Sequence, residues 1–172
     1  GSVMYPEGGD LNNDGKDDVI ISGGNGNIYI AIYSNDNGTN KWNIIEKDNV
    51  SPSGFSVAPT YFSAYDQIGH TTNSFIAIGD NNGIVYLYKW DNLINDLVKV
   101  LQTNICEMLF NPIVVGNFQS DTSNFQFVIQ SELNNKHVLT LSTNLQNVVS
   151  VKKWSKEMFI DQYVNGSFGQ GL

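Results

Sequence analysis

The chain has 172 residues, enough for one domain with a real core, and a formal charge of −8. That charge, with no basic run, aromatic RNP-like motif or zinc-finger spacing, argues against nucleic-acid binding, which needs a clustered basic surface. Only 15% of residues are charged, and roughly one in seven is asparagine, a composition of many tight turns joining short strands. No apolar run approaches the ~20 residues that span a bilayer. The leading Gly1-Ser2 reads as an expression scar, and no signal peptide is seen, so any targeting segment is expected to have been removed or to lie outside this chain.

Val3 to Tyr5 reads as a first strand, and the stretch Gly9 to Ile21, GDLNNDGKDDVII, follows it. Asp10, Asn12, Asp14 and Asp18 stand at loop positions 1, 3, 5 and 9, with Gly15 at position 6. Alternating carboxylates and amides can wrap a hard cation that wants six to eight oxygens at about 2.3–2.6 Å. Lys16, at position 7, can add its backbone carbonyl, and Gly15 tolerates the positive φ of a sharp turn. The oxygen-only donor set favours Ca²⁺ over zinc, copper or Mg²⁺. An EF-hand is excluded because position 12 is Ile21 where a bidentate Glu is needed. The β-branched run after Asp18 leads to a Gly-Asn turn, not a helix, which excludes a dockerin-type loop as well. The plain alternative is an Asp/Asn/Gly-rich turn without metal.

The rest of the chain echoes this unit. Gly9-Asp10-Leu11 finds counterparts in Tyr65-Asp66-Gln67, Gly116-Asn117-Phe118 and Gly166-Ser167-Phe168, at intervals of 56, 51 and 50 residues. After each of the first three loops comes an apolar strand: Val19 to Ser22, Phe75 to Gly79, Phe127 to Ser131. Turns at Gly23 to Asn27, Asp80 to Gly83 and Glu132 to Asn135 suit primed hairpins. Third strands with period-two alternation span Ile28 to Tyr33, Val85 to Tyr88 and Val138 to Leu141. Weaker fourth strands fall at Trp42 to Glu46, Leu97 to Leu101 and Val148 to Lys152. Later first strands fall at Thr60 to Ala64, Ile113 to Val115 and Tyr163-Val164. Leu93, Ile94, Leu97, Val98 and Leu101 have helical spacing, but the repeat register makes Leu97 to Leu101 a strand. Ser155 to Ile160 has room for one helical turn.

Only the first loop keeps the ligands. The second carries Asp66, Ile68, His70, Thr72 and Ser74, and the third Asn117, Gln119, Asp121, Ser123 and Phe125, so one ion is expected. The expected architecture is all-β: about three four-stranded antiparallel propeller blades (1–55, 56–110, 111–160) and the first strand of a fourth (161–172). Three blades do not close a ring and leave apolar faces open. The chain is therefore expected to be a piece of a larger propeller, or an arc that copies complete.

The loop and its flanks resemble the FG-GAP repeat of integrin-α-type β-propellers, on Gly9, Asp10, Asn12, Asp14, Gly15, Asp18 and the strand Val19 to Ser22. The motif itself covers about a dozen residues, those of the first loop and the strand after it. It implies one structural Ca²⁺ held by Asp10, Asn12, Asp14, Lys16 and Asp18, and loops presented to a protein partner on an extracellular or cell-surface molecule. Carbohydrate is a second partner class. The alternatives are the propeller portion of a secreted polysaccharide lyase or related enzyme, and an intracellular propeller scaffold.

Little else points to chemistry. His70 and His137 lie in different units without a nucleophile in motif context, and Glu7, Glu46, Glu107, Glu132 and Glu157 lack a glycosidase spacing. Gly23 to Gly26 lacks the Lys-Ser/Thr of a phosphate loop. Cys106, among Ile105, Met108 and Leu109, is expected to be a buried thiol. The aromatic residues Tyr29, Tyr33, Tyr61, Tyr65, Tyr86, Tyr88, Trp42, Trp90 and Trp154 read as packing groups. Sequons at Asn37, Asn49 and Asn165 occur at the frequency chance supplies.

Overall fold

A computed structural model describes residues 5–47, 59–66, 71–109, 111–116, 125–133, 135–142, 145 and 147–154. Every regular element among them is a β-strand, and no helix occurs among the described residues. The first sheet contains β1 (Tyr5–Gly9), β2 (Asp18–Ser22), β3 (Ile28–Asp36) and β4 (Thr39–Lys47). β5 (Thr60–Asp66), β6 (Thr71–Gly79), β7 (Ile84–Asp91) and β8 (Asp96–Asn104) make the second. The third is β9 (Val114–Gly116), β10 (Gln126–Gln130), β11 (Lys136–Leu141) and β12 (Val148–Trp154). Each is an antiparallel meander in which spatial order follows chain order.

The hairpins explain the spacing. In the three sheets the amide of Gly23, Asp80 or Ser131 donates to the carbonyl four residues on, Asn27, Ile84 or Asn135. Gly26 and Gly83 then adopt φ of 83° and 78°. In the first two sheets one left-handed glycine after an ordinary turn makes three-residue loops with a bulge, in place of the expected primed turns; Asn134, at the equivalent position of the third, lies outside the described residues. The primed geometry instead occurs at Asn37-Gly38, where both φ are positive and Asp36 pairs with Thr39. The helical spacing at Leu93 to Leu101 gives way to β8, because Leu97 and Leu101 pair with Trp90 and Leu87 across a hairpin that turns at Asn92–Asn95.

Burial assigns the sheets their neighbours. From the first sheet, Ile20, Ile28, Ile30 and Ile32 pack against Ile76, Ile78, Tyr86, Tyr88 and Trp90 of the second. The opposite face of the second sheet, Phe75, Ala77, Val85 and Leu87, packs against Phe127, Ile129, Leu139 and Leu141 of the third. The middle sheet is thus covered on both faces, which is why β6 and β7 are buried along continuous runs. Each fully buried aliphatic side chain contributes roughly 1.5–3 kcal/mol, so these two seams hold the sheets together. Phe62 stacks on Phe75 at 5.3 Å and meets Phe127 edge-on at 6.0 Å within the second seam. The first strands run side by side, β1 against β5 and β5 against β9.

Alignment on the hairpins gives the seams a direction. Counted from Gly23, Asp80 and Ser131, Ile21, Ile78 and Ile129 are equivalent, as are Tyr29, Tyr86 and His137. The face holding Ile78 and Tyr86, and the face holding Ile129 and His137, each receive the preceding sheet. The corresponding face of the first sheet carries Val19, Ile21, Tyr29, Ala31, Tyr33, Trp42 and Ile44 in register. Trp42 and Ile44 on it are 52% and 69% exposed.

Two local expectations are corrected. The first strand runs over Tyr5–Gly9, so Gly8 and Gly9 belong to the ladder, and Val3 lies outside the described residues. Gly9 fits there because a Cβ would overlap the Tyr61 ring. Cys106 is exposed, in a left-handed turn (φ 58°) where its amide donates to Asn104 Oδ1 at 2.6 Å. Its neighbours divide sides: Leu109 is buried while Met108 is 37% exposed. The expected strand at Tyr163-Val164, the turn at Ser155 to Ile160, His70, the third-loop slots Asn117 to Ser123, and Asn49 and Asn165 all lie outside the described residues.

Candidate cation loop and the seams beside it

The loop between β1 and β2 is wired by its own side chains. Asp10 Oδ1 accepts from the amide of Asp14 (3.0 Å) and Asp10 Oδ2 from that of Gly15 (2.9 Å). Asn12 Oδ1 accepts from the same Asp14 amide at 3.0 Å, and Asp14 Oδ1 from the Lys16 amide at 3.0 Å. Gly15 has φ 84°, with nothing near the position of an added Cβ. Asn13 also adopts a positive φ, 59°. The Lys16 ammonium stands 3.8 Å from Asp14 Oδ2 and 5.5 Å from the centre of the Tyr33 ring.

Asp18 differs from the others. It is fully buried; Oδ2 accepts from the Leu11 amide at 3.0 Å and Oδ1 from the Tyr33 amide at 2.9 Å. Burial pushes its pKa above the ordinary carboxylate value, and the backbone donors of Tyr33, Leu11 and Asn12 only partly offset that. Adjacent Asp17 is exposed. Asp10, Asn12 and Asp14 are therefore gathered on one exposed loop, while Asp18 braces the loop against β3.

Among the described residues no three carboxylate, imidazole or thiol groups stand close enough to form a ready-made metal cluster. Each carboxylate oxygen that takes an amide keeps a second lone pair, so the hydrogen bonds leave donor capacity on Asp10, Asn12 and Asp14. With the Lys16 carbonyl, this all-oxygen set fits a hard cation such as Ca²⁺ by its chemistry. Asp18, fully buried, is the poorest donor of the five.

Two other carboxylates organise the seams. Asp80, fully buried, accepts from the amides of Asn82 and Ile84 (both 2.9 Å) and from the Tyr86 hydroxyl at 3.1 Å. Glu107 lies on the segment joining the second and third sheets. It accepts from Ser131 Oγ, Asn135 Nδ2 and Lys153 Nζ, and pairs with His137 Nε2 at 3.0 Å. Burial opposes its charge, but the bonds from Lys153, Ser131, Asn135 and His137 prevail and hold its pKa far below the usual carboxylate range. The same segment donates Ile105 N to Gly83 O (2.9 Å) and Leu109 N to Asp80 O, and its Met108 carbonyl accepts from Glu132 N (2.9 Å). It touches both hairpins, so it staples one sheet to the next. Glu107 has no sequence signal, because its partners lie 24 to 46 residues away, whereas those of Asp80 lie within its own turn and the strand that follows.

No protein-family model matches the chain, and no curated protein matches it.

Proposed function

We propose that the chain is an arc of a calcium-stabilised β-propeller that serves as a non-enzymatic binding or scaffold domain. The observation that carries this reading is the loop from Asp10 to Asp18, where Asp10, Asn12 and Asp14 stand at alternate positions and their side-chain oxygens accept loop amides. Successive four-stranded meanders, with first strands side by side and each sheet packed on the next, support the propeller geometry. The open face at Val19, Tyr29, Trp42 and Ile44 is where a further blade belongs, from the same chain or another one.

In this reading Asp10, Asn12, Asp14 and the Lys16 carbonyl hold the ion, and Asp18 fixes the loop's exit. The ion supplies positive charge that offsets the repulsion among neighbouring carboxylates. The binding surface for a protein partner is the set of strand-joining loops, and the setting is extracellular or cell-surface, where calcium is abundant. This functional step comes from fold and loop alone, and one architecture hosts many activities.

The test is calorimetric titration with Ca²⁺ and Mg²⁺, with thermal melting in each ion and in chelator. A melting temperature raised by millimolar Ca²⁺, and no such rise for Asp14→Ala, is the expected result. A melt that ignores Ca²⁺ in the native chain would overturn the reading.

A further inference from the structure

The three residues entering the loop contact the second sheet, although none of its expected ligands belongs to that sheet. Gly9 lies under the Tyr61 ring, in space that a Cβ would need. The carbonyl of Asp10 accepts two hydroxyl groups, Tyr61 Oη at 3.0 Å and Ser74 Oγ at 2.9 Å. Leu11 is fully buried in the first seam, with Ile76, Ile78 and Tyr86. Its amide is the one that Asp18 Oδ2 holds. Asp10 thus has two jobs. Its carboxylate organises the amides of Asp14 and Gly15, and its carbonyl is anchored to the neighbouring sheet.

We infer that Tyr61 and Ser74 are positioning residues for the cation loop, and that ion occupancy and the seam between the first two sheets stabilise each other. The inference rests on the reading of the loop as an ion site. An ion drawn against the Asp10 carboxylate fixes the main chain on either side of it. That fixes the carbonyl presented to both hydroxyls and the Leu11 side chain in the seam. Linkage is reciprocal: whatever holds the Asp10 carbonyl in place also raises affinity for the ion. Both hydroxyls bind a main-chain atom, so their removal leaves every side-chain ligand in place.

The experiment uses the full chain and Ca²⁺ as the probe. Calorimetry gives affinity for the native chain, for Tyr61→Phe and Ser74→Ala singly and together, and for Ser74→Thr, which keeps the hydroxyl. Thr60→Ala is the control, since it removes a comparable hydroxyl-to-carbonyl bond, to Ile113 (2.6 Å), at the other seam. Amide hydrogen exchange with and without Ca²⁺ is the second readout. The expected results are affinity about tenfold weaker in the double variant, retained in Ser74→Thr and Thr60→Ala, and slower exchange with Ca²⁺ across Ile76 to Tyr88. If the double variant does not fold, the single variants and the native exchange data carry the test. Unchanged affinity in the variants, equal weakening by Thr60→Ala, or protection confined to the loop overturns the linkage while leaving the ion site standing. Absence of Ca²⁺ binding to the native chain overturns both.

Discussion

Tyr29 and Tyr86 hold the same position in consecutive sheets, six residues beyond the start of the hairpin, yet one is half-exposed and the other is buried to 1%. The Tyr86 hydroxyl donates to Asp80, while the Tyr29 hydroxyl accepts from Asn25 at the surface (3.0 Å). The same side chain is a seam residue in one sheet and an outer-face residue in the other.

That contrast predicts unequal costs. Tyr86→Phe removes a donor from a buried carboxylate and should destabilise by about 1–2 kcal/mol, whereas Tyr29→Phe should change stability by less than about 0.5 kcal/mol. Urea unfolding of both variants measures the difference. Burial, then the Asp80 charge, pushes the Tyr86 pKa well above the ordinary phenol value, and burial pushes Tyr88 up to about 12. Above pH 10 the unfolded chain releases these protons while the folded chain retains them, so stability should fall as pH rises through that window. Alkaline unfolding, followed by tyrosinate absorbance, checks the sign.

Glu107 predicts the opposite pH limb. Its folded pKa is depressed, so its contribution is full above the ordinary carboxylate value of 4.5 and is lost as pH falls below it. Glu107→Gln should cost about 2–3 kcal/mol near neutral pH by leaving the buried His137 and its neighbours poorly paired. It should also flatten the acid limb of the unfolding curve. Native-like acid sensitivity in the variant would contradict this.

Two glycines with the same backbone conformation separate strain from overlap. At Gly38 (φ 81°) an added Cβ meets nothing, so Gly38→Ala should cost only about 1 kcal/mol of left-handed strain. At Gly83 (φ 78°) the Cβ would overlap the Glu107 main chain, so Gly83→Ala should cost about 2–4 kcal/mol and loosen the staple between the second and third sheets. Denaturant unfolding of the pair, with exchange at Ile105 to Leu109, tests it.

Trp42 and Ile44 predict a surface that is indifferent in isolation. Ile44→Lys should leave the stability of the chain within about 0.5 kcal/mol of native, because the side chain is exposed. Ile30→Ala, on the other face of the same sheet where Ile30 pairs with Ile45 and faces the seam, should cost about 2–5 kcal/mol. Comparable losses at both positions would mean that the outer face is already covered.

Local chemistry made the strands legible: alternation marked β3, hairpin residues punctuated each unit, and the register outweighed the helical spacing before β8. Residues whose meaning depends on another sheet were harder to read. Gly9 was read as the start of the loop; only the Tyr61 ring explains a glycine in the strand there. Cys106 looked buried because apolar neighbours say nothing about which side a linker turns. At the candidate site, the spacing from Asp10 to Asp18 was legible. The separate role of Asp18, and the hydroxyls of Tyr61 and Ser74, were not, because β3 and the second sheet bring those contacts together.

Since each seam joins two unlike faces, the stack has an arrow. A layer added beside Trp42 must offer the isoleucine-type surface that the first sheet turns toward the second, so two copies meeting there through a dyad would mismatch. In the proposed propeller, further layers would therefore add in one direction only, each turning its isoleucine-type face to the outer face of the next.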